Sequence, residues 1–402
     1  MKRIGLYGGT FNPIHTGHIE AAKGAMAALG LDRLLLIPAW AAPHKAMPEG
    51  SATPQQRLEM LHLAAAELPG AEVCDMELRR QGVSYSYETV MELRRQYPED
   101  ELVLLMGSDM FLSFDTWIKP EIILQNAALG VFCRGDKGEA AAIEKKKAVM
   151  EQQGADIRLI HHDPIPISST QLRRLLAFGC REEFLPPAVS NYICQQGLYH
   201  TQACWKQLPM DQLEQVVVSL MNPNRVAHVL GCRDTAVELA KRWGADPADA
   251  ARAGLLHDIT KALDGPLQLT LCRSYGKMLG DFARKYPKTL HALTGSLVAQ
   301  RIFGENEQVV NAICSHTTGK AQMTMLEIIL YVADYMEPNR TIPGVERLRE
   351  LAFSDIYAAL RLGLSMTLEH LARQGSEVSP ETLETAAWLN AMDEKGRFYV
   401  NT

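Results

Sequence analysis

The chain has 402 residues, 47% hydrophobic and 22% charged, with a formal net charge of -6. That composition is globular and excludes a disordered, collagen-like or low-complexity protein, while the length favours two or three domains with cores of their own. With 41 Lys+Arg against 47 Asp+Glu, no global basic field points to nucleic-acid binding, so anionic ligands need local sites.

Met1 to Thr10 runs straight into strand-like sequence, without the charged and apolar regions of a signal peptide. Short β-rich runs at Arg3–Tyr7, Arg33–Ile37, Leu102–Met106, Leu129–Cys133 and Ile157–Ile160 alternate with helical patterns at Ile19–Leu29, Gln55–Glu67 and Tyr87–Gln96. This alternation predicts a parallel sheet wrapped by helices. The longest apolar run, Leu34 to Ala42, is interrupted by Pro38 and is too short to cross a bilayer. Glu144 to Lys147 reads as a solvated helix face. Pro186-Pro187 precedes a last helix of this half, and 197–209 is the expected junction. From about Asp211 onwards β-branched runs nearly vanish. Amphipathic patterns then follow at Val226–Trp243, Pro247–His257, Ala292–Phe303, Val309–His316, Met325–Met336 and Glu346–Gln374, which predicts an all-α second half. The eight cysteines are scattered singly with no C-x-x-C pair, as in reduced proteins. The expectation is a cytoplasmic protein with no membrane or nucleic-acid partner and domains at 1–200 and 210–402.

The first strand runs into Gly8-Gly9-Thr10-Phe11-Asn12-Pro13-Ile14-His15-Thr16-Gly17-His18 and then a helix. Glycines after a strand let the backbone approach an anion, and a helix start offers free N–H groups and a positive dipole end. Neither a dinucleotide fingerprint nor a P-loop is present. Two imidazoles, His15 and His18, straddle the helix start, where they are suited to donate to a phosphate whose charge rises in a transition state. Late in this half, Ile167-Ser168-Ser169-Thr170-Gln171-Leu172-Arg173 offers hydroxyls, a helix start and a guanidinium, an anion clamp suited to a triphosphate.

These two strings together resemble the HxGH nucleotidyltransferase superfamily. Within it, Pro43-His44-Lys45, Ser84 to Thr89, and Gly107-Ser108-Asp109 followed by Phe114, Trp117 and Ile118 look most like nicotinate-nucleotide adenylyltransferases. The resemblance covers Met1 to about Tyr199 and implies a Rossmann-like α/β domain with a parallel sheet. It implies adenylyl transfer from ATP, with Mg²⁺, to nicotinate mononucleotide. His15, His18, Lys45 and Arg173 would then be catalytic. Gly8, Gly9, Thr10, Phe11, Ser86, Thr89, Gly107, Asp109, Trp117, Ile167, Ser168, Ser169 and Thr170 would bind nucleotide. Lys45 would contact phosphate, Trp117 would stack on the pyridine ring and Asp109 would sit near the ATP ribose. The alternative is another acceptor, nicotinamide mononucleotide or phosphopantetheine.

The helical half carries His228, the doublet His257-Asp258, His291, His316 and Asp334. Imidazoles and carboxylates on helices suit Fe, Mn or Zn, and the lack of nearby cysteines argues against structural zinc. Adjacent side chains diverge on a helix, so a His-Asp doublet sharing one site needs an irregular helix end. This set, within Leu255 to Lys261, resembles the HD-domain metallohydrolases. Ser315 to Gly319 and Tyr331 to Arg340 look like the bacterial subfamily that splits diadenosine tetraphosphate symmetrically into two ADP. The resemblance implies an all-α helical bundle with a two-metal site, iron first, manganese or zinc otherwise. His228, His257, Asp258 and Asp334 would hold one metal, and Asp258, His291 and His316 the other. Lys261 and Arg340 would neutralise substrate phosphates, with Arg225 a further candidate. The alternative is a regulatory module that binds nucleotide without turnover. Oligomeric state is left open.

Overall fold

The computed structural model describes residues 1–43, 47–133, 137–161, 165–181 and 183–392. They form two compact units, Met1–Ala203 and Cys204–Thr402. Among the described residues no helix is long and apolar enough to cross a membrane.

The first unit contains the strands β1 (Arg3–Gly9), β2 (Arg33–Pro38), β3 (Ala71–Val73), β4 (Glu101–Gly107), β5 (Ala128–Cys133) and β6 (Ile157–His161). All pair in parallel, in the order β3-β2-β1-β4-β5-β6. A parallel sheet needs cover on both faces, which is why its strands are apolar almost without alternation. Leu34, Leu36, Val103 and Leu105 face one core with Ala22, Ala25, Met60 and Leu61 from the helices Thr16–Leu29 and Pro54–Ala65. Ile4, Leu6, Leu35 and Leu104 face the other, with Val90 and Leu93 from the helix Ser86–Gln96. Each leucine so buried contributes about 1.5–3 kcal/mol.

Strand β3 was not anticipated. It is three residues long at the sheet edge, too short to show a period. The winding reverses at β1, which is flanked by β2 and β4. A crevice opens at such a reversal, beyond the carboxyl ends of the strands. Register pairs Tyr7 with Leu105, so the chain leaves β1 and β4 at nearly the same level.

In the second unit the helix Pro223–Trp243 packs on Pro247–Leu256, and the helices Glu307–Ser315 and Met325–Met336 complete the core. The first crossing is close enough that a Cβ on Gly254 would lie 2.6 Å from the Arg233 Cα. The pattern read as one helix over Glu346–Gln374 is two, Val345–Ser354 and Ile356–Arg373. Asp355 breaks it: its backbone is extended, and its carboxylate accepts the Ala358 N–H at 3.0 Å, capping the second helix. The helices Gly265–Ser274 and Pro380–Asn390 were also not anticipated. The lysine run is less solvated than expected, since Lys146 donates to Asp115 at 2.6 Å and to the Leu112 carbonyl at 2.9 Å.

Gly254→Ala is expected to force the two helices apart and lower the stability of the second unit by about 1–3 kcal/mol in urea unfolding. An unchanged midpoint would mean that the crossing tolerates the extra methyl group.

Candidate functional site

In the first unit, β1 ends at Gly9 and the chain runs on beyond the carboxyl end of that strand to His15, which precedes the helix Thr16–Leu29. His15 is 4% exposed, and its ring lies 3.7 Å from that of His18, centroid to centroid. The His15 backbone N–H donates to His18 Nδ1 at 3.2 Å. The proton of the neutral His18 ring therefore sits on Nε2, and that nitrogen is a donor. Burial lowers the His18 pKa to about 4; burial, with His18 adding to it, lowers that of His15 to about 2. Both rings are neutral at pH 7. The His15 Nδ1 is buried with no partner. The Phe11 ring is 1% exposed and stands edge-on to His18 at 5.1 Å, so Phe11 has only backbone to offer a ligand.

The second string folds against this loop. Ser168 caps the helix Ser169–Ala177: its hydroxyl accepts the Gln171 N–H at 3.2 Å, and Gln171 Oε1 accepts the Ser168 N–H at 3.1 Å. The Ser169 hydroxyl donates to the Pro13 carbonyl at 3.0 Å. Arg173 donates to the Asn12 carbonyl at 2.7 Å and to the Thr170 hydroxyl at 3.2 Å. A cavity of about 120 Å³ lies between the strings, lined by Thr10, Asn12, Ser168, Ser169, Thr170 and Arg173, with Met47 and Pro48 at its edge. Hydroxyls, a helix start and a guanidinium around one small cavity suit a phosphate group. Ile167 packs against the core beside the cap.

The remaining candidates lie elsewhere or outside the described residues. Lys45 is outside them. Gly107 precedes the short helix Ser108–Leu112 after β4, and Asp109 on it is exposed. Ser86 opens its helix. Trp117 is half-buried, 5.3 Å from Phe114. Thr89 is committed within the protein: its hydroxyl donates to Glu77 at 2.6 Å and accepts from Arg80 at 3.0 Å. The sequence reading passed over Asn12, whose Oδ1 accepts the Tyr199 hydroxyl at 2.8 Å and whose Nδ2 donates to Ser51 at 2.8 Å.

In the second unit, the helix Pro247–Leu256 ends one residue before His257, so His257 and Asp258 stand in a turn and share a site. Asp258 is the hub. Its Oδ2 lies 3.6 Å from His257 Nε2 and 3.7 Å from His228 Nε2, and its Oδ1 lies 3.6 Å from His291 Nε2 and 3.9 Å from His316 Nε2. Asp334 Oδ1 is 3.2 Å from His228 Nε2. Two groups close to within 4.8 Å, His228 with His257 and Asp334, and His257 with Asp258 and His316. His291 is in neither; its Nε2 faces the Lys261 ammonium at 2.9 Å and the Thr317 hydroxyl at 3.0 Å.

The imidazoles fit a metal in a specific way. Nδ1 of His257 meets the Gly254 carbonyl at 2.8 Å, that of His316 the Ile313 carbonyl at 2.7 Å, and that of His291 the Lys288 carbonyl at 3.0 Å. Nδ1 of His228 meets Glu337 at 3.1 Å. A proton held at Nδ1 leaves the Nε2 lone pair free to ligate. Glu337, 1% exposed, is the brace that no histidine or aspartate pattern would reveal. A Cβ on Gly231 would press on its Oε2, so a larger residue there would displace the carboxylate.

Burial pushes the Asp258 carboxyl up, but His257, His291 and Lys261 hold it well below the usual range. Burial also opposes ionisation of Asp334, which the His228 hydrogen bond and the charges of His257 and Arg340 overcome. Burial lowers His316 to about 3, helped by His257 and His291, and with Lys261 lowers His291 to about 4. Arg225 pairs with Asp258, and Arg340 with Asp334. Among the described residues neither group includes a cysteine, though the buried Cys232 lies close enough to feel Asp334 and Asp258. Burial and those charges raise its pKa well above the usual thiol value, so it stays a protonated thiol.

Residues 6–175 match the Cytidylyltransferase-like family and residues 225–339 the HD domain. A probable nicotinate-nucleotide adenylyltransferase of Aeromonas hydrophila is 41% identical over 208 residues, 49% of this chain and 96% of that protein. Another, from Neisseria meningitidis serogroup C, is 36% identical over 201 residues, 50% of this chain and 99% of that protein. A solved protein from Clostridium acetobutylicum, described as a predicted HD superfamily hydrolase involved in NAD metabolism, is 35% identical. It covers 46% of this chain and 97% of its own, with a TM-score of 0.44. Through its first half the chain belongs to the nicotinate-nucleotide adenylyltransferase family, and its second half carries an HD domain.

Proposed function

We propose a bifunctional enzyme, with adenylyl transfer in the domain 1–200 and metal-dependent phosphohydrolysis in the domain 210–402. The transfer reading is carried by the convergence of Ser168 to Arg173 on the loop after β1. ATP, brought with Mg²⁺, would seat its triphosphate in the cavity between them. The nicotinate mononucleotide phosphate, the acceptor named by the relatives, would attack the α-phosphorus in line and expel pyrophosphate. The chain would supply positioning and charge stabilisation. His18 donates from Nε2 to oxygens whose charge rises, while Arg173, Lys45 and the exposed N–H groups at the helix starts neutralise the triphosphate. Asp109, just after β4, and Trp117, beyond the short helix that follows it, would receive the ribose and the pyridine ring.

The hydrolytic reading is carried by the imidazoles that turn Nε2 towards Asp258 and Asp334. His228, His257, Asp258 and Asp334 would hold one metal and Asp258, His291 and His316 a second. Iron is our first choice, since the donors suit it as they suit manganese and zinc. A bound metal supplies a Lewis acid that polarises phosphoryl oxygens and acidifies water. Arg225, Lys261 and Arg340, all touching the ligand set, would bind a polyanion, and diadenosine tetraphosphate is the proposed substrate. Both substrates are soluble nucleotides, consistent with a cytoplasmic enzyme.

The test is product analysis on both reactions, with elemental analysis of the purified protein. Pyrophosphate release that is no faster with nicotinate mononucleotide than with nicotinamide mononucleotide or phosphopantetheine would sink the acceptor assignment. Binding of diadenosine tetraphosphate without ADP release would sink the hydrolase and leave a sensor.

His18→Ala is expected to abolish dinucleotide formation and spare ADP release, and Asp258→Ala to do the reverse with loss of metal; loss of both activities in either variant would contradict separate sites. Glu337→Gln should lower metal affinity about 10–100-fold in competition with a chelator, the usual effect of removing such a brace. Between pH 6.5, the ordinary value, and about 4 the unfolded chain binds more protons than a fold with neutral His18. Stability should therefore fall as pH drops through that window, and His18→Gln should flatten part of the decline in melts run across pH.

A further inference from the structure

The helix Pro54–Ala65 buries a stripe of Arg57, Met60, Leu61 and Ala64, so a guanidinium occupies a core position otherwise filled by apolar side chains. Arg57 is 1% exposed. Its Nη1 donates to the Thr10 and Ala39 carbonyls, each at 2.7 Å, and its Nη2 to the Trp40 carbonyl at 3.3 Å. Its Nε has no partner, and among the described residues no carboxylate pairs with it. Burial lowers its pKa, and the group opposing this is Tyr199, the residue hydrogen-bonded to Asn12. A buried charge without a counter-ion is costly, and three carbonyl oxygens are partial compensation at best. Those carbonyls belong to the loops that follow β1 and β2, and the Thr10 carbonyl lies within the loop that lines the phosphate cavity. The start of the Arg57 helix is tied to that loop again, because Asn12 Oδ1 accepts the Ala52 N–H at 3.3 Å.

We infer that Arg57 is a positioning residue for adenylyl transfer, fixing the Thr10 carbonyl and setting an uncompensated positive charge behind the loop that receives the triphosphate. The cavity-side Arg173 does the same from the other flank through the Asn12 carbonyl, also without a carboxylate partner among the described residues. The loop is thus spanned by two cations, one of which faces the cavity and one of which does not. A polyanion entering the cavity supplies the negative charge that neither finds among the described residues.

The proposal rests on the transfer reading, and the test separates the two. Full-length Arg57→Met, Arg57→Lys and Leu61→Ala are compared in single-turnover transfer from ATP to nicotinate mononucleotide, in ATP binding by calorimetry, and in thermal melts. Arg57→Met is expected to slow transfer at least about tenfold and weaken ATP about threefold or more, as loss of electrostatic preorganisation does. Arg57→Lys, which keeps the charge, should recover to within about threefold of wild type. Leu61→Ala, on the same helix face, should lower the melting temperature while transfer stays within about twofold. Transfer by a folded Arg57→Met within about twofold of wild type overturns the proposal, and so does a Leu61→Ala slowed as much as Arg57→Met. Should Arg57→Met not fold, Arg57→Gln replaces it under the same criteria. Wild-type protein that binds ATP but forms no dinucleotide overturns the transfer reading instead; equal ATP affinity of wild type and Arg57→Met then overturns the Arg57 proposal.

Discussion

A neutral imidazole has two nitrogens and one proton, and inside a protein the neighbouring backbone decides which nitrogen keeps it. Both halves of this chain depend on that choice, and they make it in opposite ways. At His18 a backbone N–H occupies Nδ1, so the ring offers a donor at Nε2, which an anion accepts. At His257, His291 and His316 a backbone carbonyl occupies Nδ1, so the ring offers a lone pair at Nε2, which a cation accepts. His228 reaches the same state through Glu337. The rings are chemically alike; the group opposite Nδ1 leaves a donor at Nε2 in one case and a lone pair there in the others.

At His18, His257 and His316 the local geometry that sets the tautomer comes from where a helix begins or ends. His15 precedes the first turn of its helix, where N–H groups are unspent and one turns to the ring three residues on. His257 and His316 follow the last turns of theirs, where carbonyls are unspent and accept from the ring. A helix start thus offers N–H groups to a ring and a helix end offers carbonyls, as the free groups at each terminus require; His228 and Asp334 instead sit within their helices. The charged groups around each site differ in the same way: Arg173 is held by a carbonyl, while Arg225 and Arg340 are held by the carboxylates of Asp258 and Asp334.

The long strands, the helices Thr16–Leu29 and Ser86–Gln96, and most of the second unit's helices were legible because burial writes a period into the sequence. The edge strand β3 was not, being shorter than any period, and the break at Asp355 was hidden because the apolar spacing continues across it. Gly8-Gly9, His15 and His18 were visible as neighbours in the chain, as was the doublet His257-Asp258. Arg57 was in plain view on an apolar stripe, but a lone arginine in such a pattern reads as a residue that snorkels to the surface. Thr89 shows the converse: a hydroxyl carried over with a motif is already spent on Glu77.

The sequence by itself determined the fold class of each half, the two strings that line the small cavity and the identity of the metal-ligand candidates, because these depend on residue type and short-range spacing. Tertiary structure alone decided that Ser169 meets Pro13 across 156 positions, that Glu337 braces His228 across 109, and that Arg57 ends beneath Thr10. Those contacts exist because the sheet reverses at β1 and because close helix crossings bring distant turns together. Neither is encoded in any window short enough to read.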